Sequence, residues 1–582
     1  LMKPGSIAGW ARRRLERLRA TELYRRYLRP AVSVLRWEGI ILLGALGFAI
    51  VSALVTRWFI LFVFLAAVLL GLAWGRAFDE SEKGQRFRRR AERAGLWVWA
   101  LLLALVGVAI FWRFSTRLGS VIFALAYALV GVTHLVWLGW RTTPMARQFK
   151  QVVALSVTPV LGAWILNSTV YTGYTRVLGI LGSISDDGRA HQERRRERAR
   201  RAEAWESDGA RPVAVALSGG GYRAAVVHAG LLWALDEAGV PIHYLSTVSG
   251  GSIVGATYAL GWSPAEFRDH LKRSRPGLPN DLANFYPIFK QLLIPSYGSG
   301  DTYAAHFDRV YFHGGVLDDT GPPVLILNAT RYSDGRREAF WPGHAPTDRL
   351  ARMVAASGAF PVAFDPVRIA DESYVDGGVV DNLGIAGLQH YFRDVAGDPD
   401  IAQRIPGVLI ISDVSVIPKA PRSWRKPSVP QMAMQAQKAS YFAMHQWIYS
   451  FYTAGQYDRK GTTAVQQPYA VKAGLLWPDL GPSEQEREVQ VFVLSPASPA
   501  ERSHFEGHEA LLEAVSSLQT LEELTGDEVE AAFWVGARLA EVYMPRICAA
   551  ARAARCTQVD LPPPPPVPSS ARRLLRSARQ ED

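Results

Sequence analysis

The sequence predicts an α/β protein: a three-layer α/β/α domain around a mostly parallel sheet, preceded by a bundle of about four transmembrane helices. Three observations carry this expectation. After Arg211, short β-branched or aliphatic runs alternate with helical patterns, as strands and crossover helices do in a mostly parallel sheet. Apolar residues make up 49% of the chain and concentrate in its first third. An apolar run ending at Val248 leads directly into Ser249-Gly250-Gly251, so a strand is expected to turn into a helix at a serine.

The first 36 residues form a basic segment carrying Arg12-Arg13-Arg14, Arg17, Arg19, Arg25, Arg26 and Arg29. It is too long and too rich in arginine for the n-region of a cleavable signal, so none is expected. Residues 37–141 form the expected membrane region, with spans over 39–55, 58–74, 95–112 and 118–140. Each is near the length a helix needs to cross a bilayer. Trp37, Trp58, Trp74, Trp112 and Trp140 stand at their ends, where interfacial anchors belong. Tight links at Thr56-Arg57 and over 113–117 make two helical hairpins.

Orientation follows from the arginines. The N-terminal segment, the loop with Arg88-Arg89-Arg90 and the residues after the fourth span (Arg141, Arg147, Lys150) are basic. The opposite links hold only Arg57, Arg113 and Arg117. The positive-inside rule puts the N-terminus and both basic loops in the cytoplasm.

Residues 142–210 combine a fifth apolar segment, 152–173, with a basic linker. The apolar segment includes Pro159, Asn167 and Ser168, and the densest basic block follows it, Arg194 to Arg201. Crossing would place that block outside, so an interfacial or re-entrant segment is expected. The reading is a multi-pass integral membrane protein of a bacterial inner membrane, with its catalytic domain in the cytoplasm.

The catalytic domain is expected over 211–550. Its strand runs are 213–217, 243–248, 324–327, 408–411 and 489–494. A helix pattern over 224–238 is closed by Gly239. The stretch 431–455, rich in Met, Phe, Tyr and Trp, reads as a core-packed helix or a lipid-facing flap. The tail, 551–582, holds Pro562 to Pro566 and then Arg572, Arg573 and Arg576. It reads as an extended spacer with a basic, disordered tip.

The chemistry lies in three pieces. Ser249 sits at the strand-to-helix turn, where small neighbours such as Gly251 leave room for a strained backbone. Ser218-Gly219-Gly220-Gly221-Tyr222-Arg223 follows an earlier strand, and Asp376-Gly377-Gly378 follows Tyr374-Val375. In this order they resemble the patatin-like phospholipase family, from about residue 213 to 384. Asn328-Ala329-Thr330, Ala355-Ala356-Ser357 and Asp381-Asn382 are weaker family-like stretches. The sequence departs from the family at Thr247, where the elbow most often has glycine. It departs again at Ser218 and Ala224, where aspartate and glycine are common. A Cβ branch at Thr247 is expected to make the turn harder.

The resemblance implies a nucleophile, Ser249, with Asp376 as a base acting directly and no histidine between them. It implies oxyanion donors from the backbone of Gly219, Gly220 and Gly221, and a supporting role for Arg223, Gly251, Gly377 and Gly378. Glycine suits an oxyanion loop because no side chain blocks the acyl oxygen. Arg223 reads first as an anchor of the loop and second as an attractor of anionic head groups. His228, among Val227, Leu231 and Leu232, reads as a packed helix residue. Asp365 and Asp381 read as turn caps. Gly219-x-Gly221-x-x-Ala224 also fits a dinucleotide fingerprint, but residues 239–244 supply no acidic group for a ribose.

Net charge is +12. The arginines stand in blocks beside apolar segments, which favours an anionic membrane surface over nucleic acid as partner. Cys548 and Cys556 are the two cysteines; they lack metal-ligand spacing and allow one disulfide at most. Neither a metal nor a cofactor is expected. The function expected is a membrane-anchored serine lipid acyl hydrolase of phospholipase or lysophospholipase type, acting on membrane lipids. The alternatives are a lipid transacylase on the same fold, or a catalytically weak membrane scaffold.

Overall fold

The computed structural model describes residues 188–569, apart from 274–277, 283–286, 289, 292–293, 295, 345–347, 362, 399, 416–466, 497, 519–523 and 555. The chain divides into two units, Leu1–Gly173 and Tyr174–Asp582, and every described residue belongs to the second. The expected spans, the segment 152–173, the aromatic stretch 431–455 and Arg572, Arg573 and Arg576 lie outside the described residues. Among the described residues no helix is long and apolar enough to cross a membrane.

In chain order the main elements are α1 (Gly188–Ser207), β1 (Val213–Leu217), α2 (Gly221–Glu237), β2 (Tyr244–Val248), α3 (Gly250–Ala259), α4 (Pro264–Arg273) and α5 (Ser299–Phe307). Then come β3 (Val324–Arg331), β4 (Arg337–Phe340), α6 (Leu350–Gly358), β5 (Val367–Ile369), β6 (Glu372–Asp376), α7 (Ile385–Asp394) and β7 (Val408–Ser412). They end with β8 (Tyr469–Lys472), β9 (Glu488–Leu494), α8 (Glu509–Ser517) and α9 (Gly526–Ala550).

Among the described residues the strands form a nine-stranded sheet in the order β5-β6-β3-β2-β1-β7-β9-β8, with β4 also paired to β3. The run β3-β2-β1-β7-β9 is parallel; the other pairings are antiparallel.

The period of two residues along a strand builds the layers. On β1, Val213, Val215 and Leu217 enter one core, and Ala214 and Ala216 the other. On β7, Val408 and Ile410 split from Leu409 and Ile411 in the same way. Residues of α2, α3, α6 and α9 fill the first core, and those of α7 the second. This is why β1 and β7 are buried at every position, as strands covered on both faces must be.

Helices α2 and α9 pack backbone to backbone. A Cβ at Gly230 would collide with the carbonyl of Phe533, and one at Gly536 with the carbonyl of Val227.

The described parts of both flanks fold onto the domain. The stretch read as a basic linker forms α1, which buries His191, Arg198 and Trp205. The proline run is extended but lies on the domain: Thr557 N donates to Ala238 O (3.1 Å) and Trp534 Nε1 to Pro562 O (3.0 Å). Val559 is buried there, and a Cys548–Cys556 disulfide ties the tail's start to the end of α9.

Candidate active site

Ser249 and Asp376 meet because β3 holds two strand ends on one edge. Leu327 pairs with Thr247 of β2 and with Phe340 of β4, so those strands lie on opposite edges. Ala329 pairs with Glu338 of β4 and with Asp376 of β6, so β6 lies opposite β4 too. Strands β2 and β6 therefore share an edge and approach each other end to end. Val248 lies beside Asn328 and Asp376 beside Ala329. Ser249 leaves the end of β2, and its Oγ donates to Asp376 Oδ2 at 2.9 Å.

The turn at Ser249 is strained. Its φ is 51° and ψ −116°, a conformation costly for a non-glycine residue and found at functional sites. The surroundings hold it there. Ser249 N donates to Ser357 Oγ (3.0 Å), and the Ser357 hydroxyl donates to Asn328 O (2.6 Å). Ser252 Oγ lies 2.8 Å from Ser357 Oγ and 3.0 Å from Thr247 Oγ1. With its proton given to Asn328, Ser357 can only accept from Ser252.

Thr247 is thus a member of the network that fixes the elbow. Its Cβ branch sits within β2, where β-branched residues are favoured, and its methyl occupies the notch above Gly255. The tight bend begins one residue beyond the strand, so the branch does not obstruct it.

The glycines expected to support the site lie at close approaches. A Cβ on Gly251 would stand 2.7 Å from Leu217 O, and one on Gly250 2.7 Å from Gly221 N. A Cβ on Gly377 would strike the carbonyl of Asn328, and one on Gly378 the side chain of Asn382.

The three loop glycines differ. Gly219 N donates to Asn382 O (3.1 Å), and a Cβ there would stand 3.1 Å from Ser249 Cβ. Gly220 and Gly221 adopt φ of 147° and 62°, which only glycine holds cheaply. Among the described residues neither of their N–H groups has a recorded acceptor. Gly221 is also the first residue of α2, so its N–H lies at the positive end of a 17-residue helix.

Arg223 is buried. It donates from Nη1 to Leu518 O (3.1 Å) and from Nη2 to Val414 O (2.9 Å). Burial lowers its pKa to about 10, and nearby Asp413 opposes that shift. These contacts make it an anchor of the loop.

Asp376 is buried, and burial pushes its carboxyl up to about 6; the Gly378 N–H (2.7 Å from Oδ1) and the Ser249 hydroxyl pull it back. One oxygen is thus anchored to backbone and the other faces the nucleophile. Tyr303 lies within electrostatic reach of Asp376 and is itself buried.

His228 is occupied elsewhere. Its Nε2 lies 2.9 Å from Ser218 O and its Nδ1 2.9 Å from Ser412 Oγ. A carbonyl only accepts, so Nε2 carries the proton. Burial lowers the pKa to about 4, and the ring is neutral.

Asp381 accepts from Leu383 N (2.9 Å) and Ala386 N (2.7 Å), capping α7. Asp365 accepts from Ser299 N (2.8 Å) at the start of α5. Both cap turns. Among the described residues no cluster of His, Cys, Asp and Glu could hold a metal.

The sequence reading assigned no role to Ser357, Asn328 or Asn382, although it noted their stretches. Ser357 stands in the last turn of α6, Asn328 within β3 and Asn382 in the loop before α7, and their polar character was the one signal they gave.

An α/β domain with a strained serine at a strand-to-helix turn, bonded to a buried aspartate, has the frame of a serine hydrolase. Residues 215–388 match the family model of the patatin-like phospholipases. Lysophospholipase NTE1 of Coccidioides immitis is 28% identical over 191 residues, 32% of this chain and 11% of that protein. Lysophospholipase nte1 of Aspergillus fumigatus is 25% identical over 193 residues, 33% and 12% respectively. The matched stretch thus spans about a ninth of the length of these relatives. Among solved structures, human GIVD cytosolic phospholipase A2 aligns with a TM-score of 0.38 and 13% identity, over 63% of this chain and 64% of that one.

Proposed function

We propose that this protein is a membrane-anchored serine lipid acyl hydrolase that cleaves acyl esters of phospholipids or lysophospholipids with a Ser249–Asp376 dyad. The observation that carries the reading is the 2.9 Å bond from the strained Ser249 to Asp376. The family match and the relatives named lysophospholipases support the substrate class.

In the first step Ser249 Oγ attacks the acyl carbon and its proton passes to Asp376 Oδ2. The carbonyl oxygen becomes an oxyanion and accepts from the N–H groups of Gly220 and Gly221. The tetrahedral centre collapses, the alkoxide leaves, and Asp376 returns the proton to it. Water then repeats the sequence on the acyl-enzyme, activated by Asp376, and releases a fatty acid. A carboxyl pushed up to about 6 is a stronger base than an ordinary aspartate and remains mostly ionised at neutral pH.

The anchor is the four expected spans over 39–140. It keeps the site beside lipid, so the substrate need not cross water.

A fluorophosphonate probe on the purified chain tests the site without knowledge of the natural lipid. Wild type should label on Ser249, and Ser249→Ala should lose both labelling and ester hydrolysis while keeping its fold. Labelling that persists in the variant and maps to Ser218 or Ser252 would sink the assignment.

A further inference from the structure

We propose that Arg198, on α1, is a positioning residue that holds the oxyanion loop and the nucleophile in register from the far ends of their helices. The inference rests on the dyad reading above. Helices α2 and α3 both begin at the site: α2 at Gly221 of the glycine loop, α3 at Gly250, next to Ser249. There they touch through glycine, with Gly250 packed on the backbone of Gly221.

Their other ends meet at one buried guanidinium. Arg198 Nη1 donates to Tyr258 O (2.6 Å), in the last turn of α3, and Nη2 to Trp262 O (3.0 Å) just beyond it. Nη2 also reaches Asp236 Oδ2 (3.2 Å) in the last turn of α2. Tyr258 closes the arrangement. Its hydroxyl donates to Asp236 Oδ1 (2.6 Å), and its ring lies 3.4 Å below the Arg198 guanidinium.

A cation at two helix C-termini is favourable in itself. A planar fork with several donors fixes direction as well as distance, which a lysine cannot do. Two helices joined at one end by a glycine contact can still pivot about it. Arg198 supplies the second point of attachment, so the N–H groups of the loop and the Ser249 hydroxyl keep their spacing. Arg194 and Arg195 tie α1 to the same neighbourhood through Gly261 O and Asp319 O. The densest basic block of the chain is therefore spent largely on the domain itself.

The test uses full-length protein in detergent, with active sites titrated by a fluorophosphonate so that kcat is per folded site. Arg198→Met should lower kcat roughly tenfold to a hundredfold while KM stays within about twofold, because geometry is lost at the reacting atoms rather than at the lipid site. Arg198→Lys should fall between. Arg200→Ala should match wild type, since Arg200 is exposed and pairs with Glu193 and Glu197 of its own helix.

Hydrogen exchange gives a second readout that needs no substrate: amides of 221–225 and 250–254 should exchange faster in Arg198→Met than in wild type. If that variant fails to fold, Tyr258→Phe and Asp236→Asn weaken the same clamp and should move both readouts in the same direction. Wild-type kcat and unchanged exchange in folded Arg198 variants would overturn the clamp. A wild type without hydrolysis or labelling, but with the exchange difference, would overturn the hydrolase reading and leave the clamp standing.

Discussion

Replacing Asp376 by asparagine should stabilise the domain above pH 6 and cut its turnover by orders of magnitude. The carboxyl is buried at the end of β6, and burial raises its pKa from 3.8 to about 6. A raised folded pKa means that the folded state prefers the protonated acid. Stability from this group is therefore fully present below about pH 4 and is lost as pH rises through about 6. Between those values the cost approaches ~3 kcal/mol, at about 1.4 kcal/mol per pH unit.

Asparagine is nearly isosteric and cannot ionise. It can still accept from Gly378 N and offers Ser249 a hydrogen-bond partner. The stability difference between Asp376→Asn and wild type should be near zero at pH 4 and grow to roughly 1–3 kcal/mol at pH 8. Urea unfolding of both full-length proteins, at several pH values in one detergent, measures it. Glu501, buried beside Tyr543 and pushed up to about 7, adds its own slope. It does so in both proteins and cancels in the difference.

Turnover should fall by about 10²–10⁴ with loss of the base. The wild-type kcat/KM should fall on the acid side with a midpoint near pH 6. A stability difference that does not vary with pH, or an asparagine variant that is less stable at pH 8 than wild type, would refute the desolvation argument. An acid limb far from 6 together with a small loss of turnover would refute Asp376 as the base.

Two further outcomes follow from the packing and from the arginines. Gly536→Val should destabilise the domain by about 1–3 kcal/mol or more, because its side chain would enter the backbone of Val227 on α2; a melt within a degree of wild type would contradict the close helix contact. Reporter fusions after Arg141 and after Arg201 should both report cytoplasm, and opposite reports would mean that 152–173 crosses the membrane.

The parallel core was legible because its strands are buried on both faces and read as apolar runs. Val213–Leu217 and Val408–Ser412 are such runs. The edge strands were not. Tyr469–Lys472 is buried only at alternate positions, and Glu372–Asp376 begins with exposed and half-buried residues, so neither stands out as an apolar run. The serine, the glycines and the aspartate were legible as types in an order. Their juxtaposition came from the family resemblance alone and not from the residues, because it depends on β6 taking the edge of β3 that β2 vacates. That follows from pairings between residues far apart in sequence, such as Val248 with Asn328 and Ala329 with Asp376. The inequality of the three loop glycines was invisible for the same reason: the partner of Gly219 N is Asn382 O, on a distant loop.

The arginine block over 194–201 shows how a charge pattern can carry two meanings. Read as free charge, it argues that the segment before it stays on the cytoplasmic side. In the structure Arg194 pairs with Glu266 and Gly261 O, Arg195 with Asp319 O, Arg198 with two carbonyls and Asp236, and Arg201 with Glu197 and Asp236 O. Charges committed to a folded domain weigh little in setting topology, since long domains translocate largely regardless of their charge. The expected cytoplasmic placement then rests on Arg141, Arg147 and Lys150 after the fourth expected span. The Cys548–Cys556 bond bears on the same question independently, because structural disulfides persist in oxidising compartments and are rare in the cytosol. A cytoplasmic domain would carry two free thiols at the end of α9, and a domain across the membrane would carry none. Counting maleimide-reactive thiols in protein denatured without reductant therefore separates the two placements by chemistry alone, without a fusion that could itself disturb the segment.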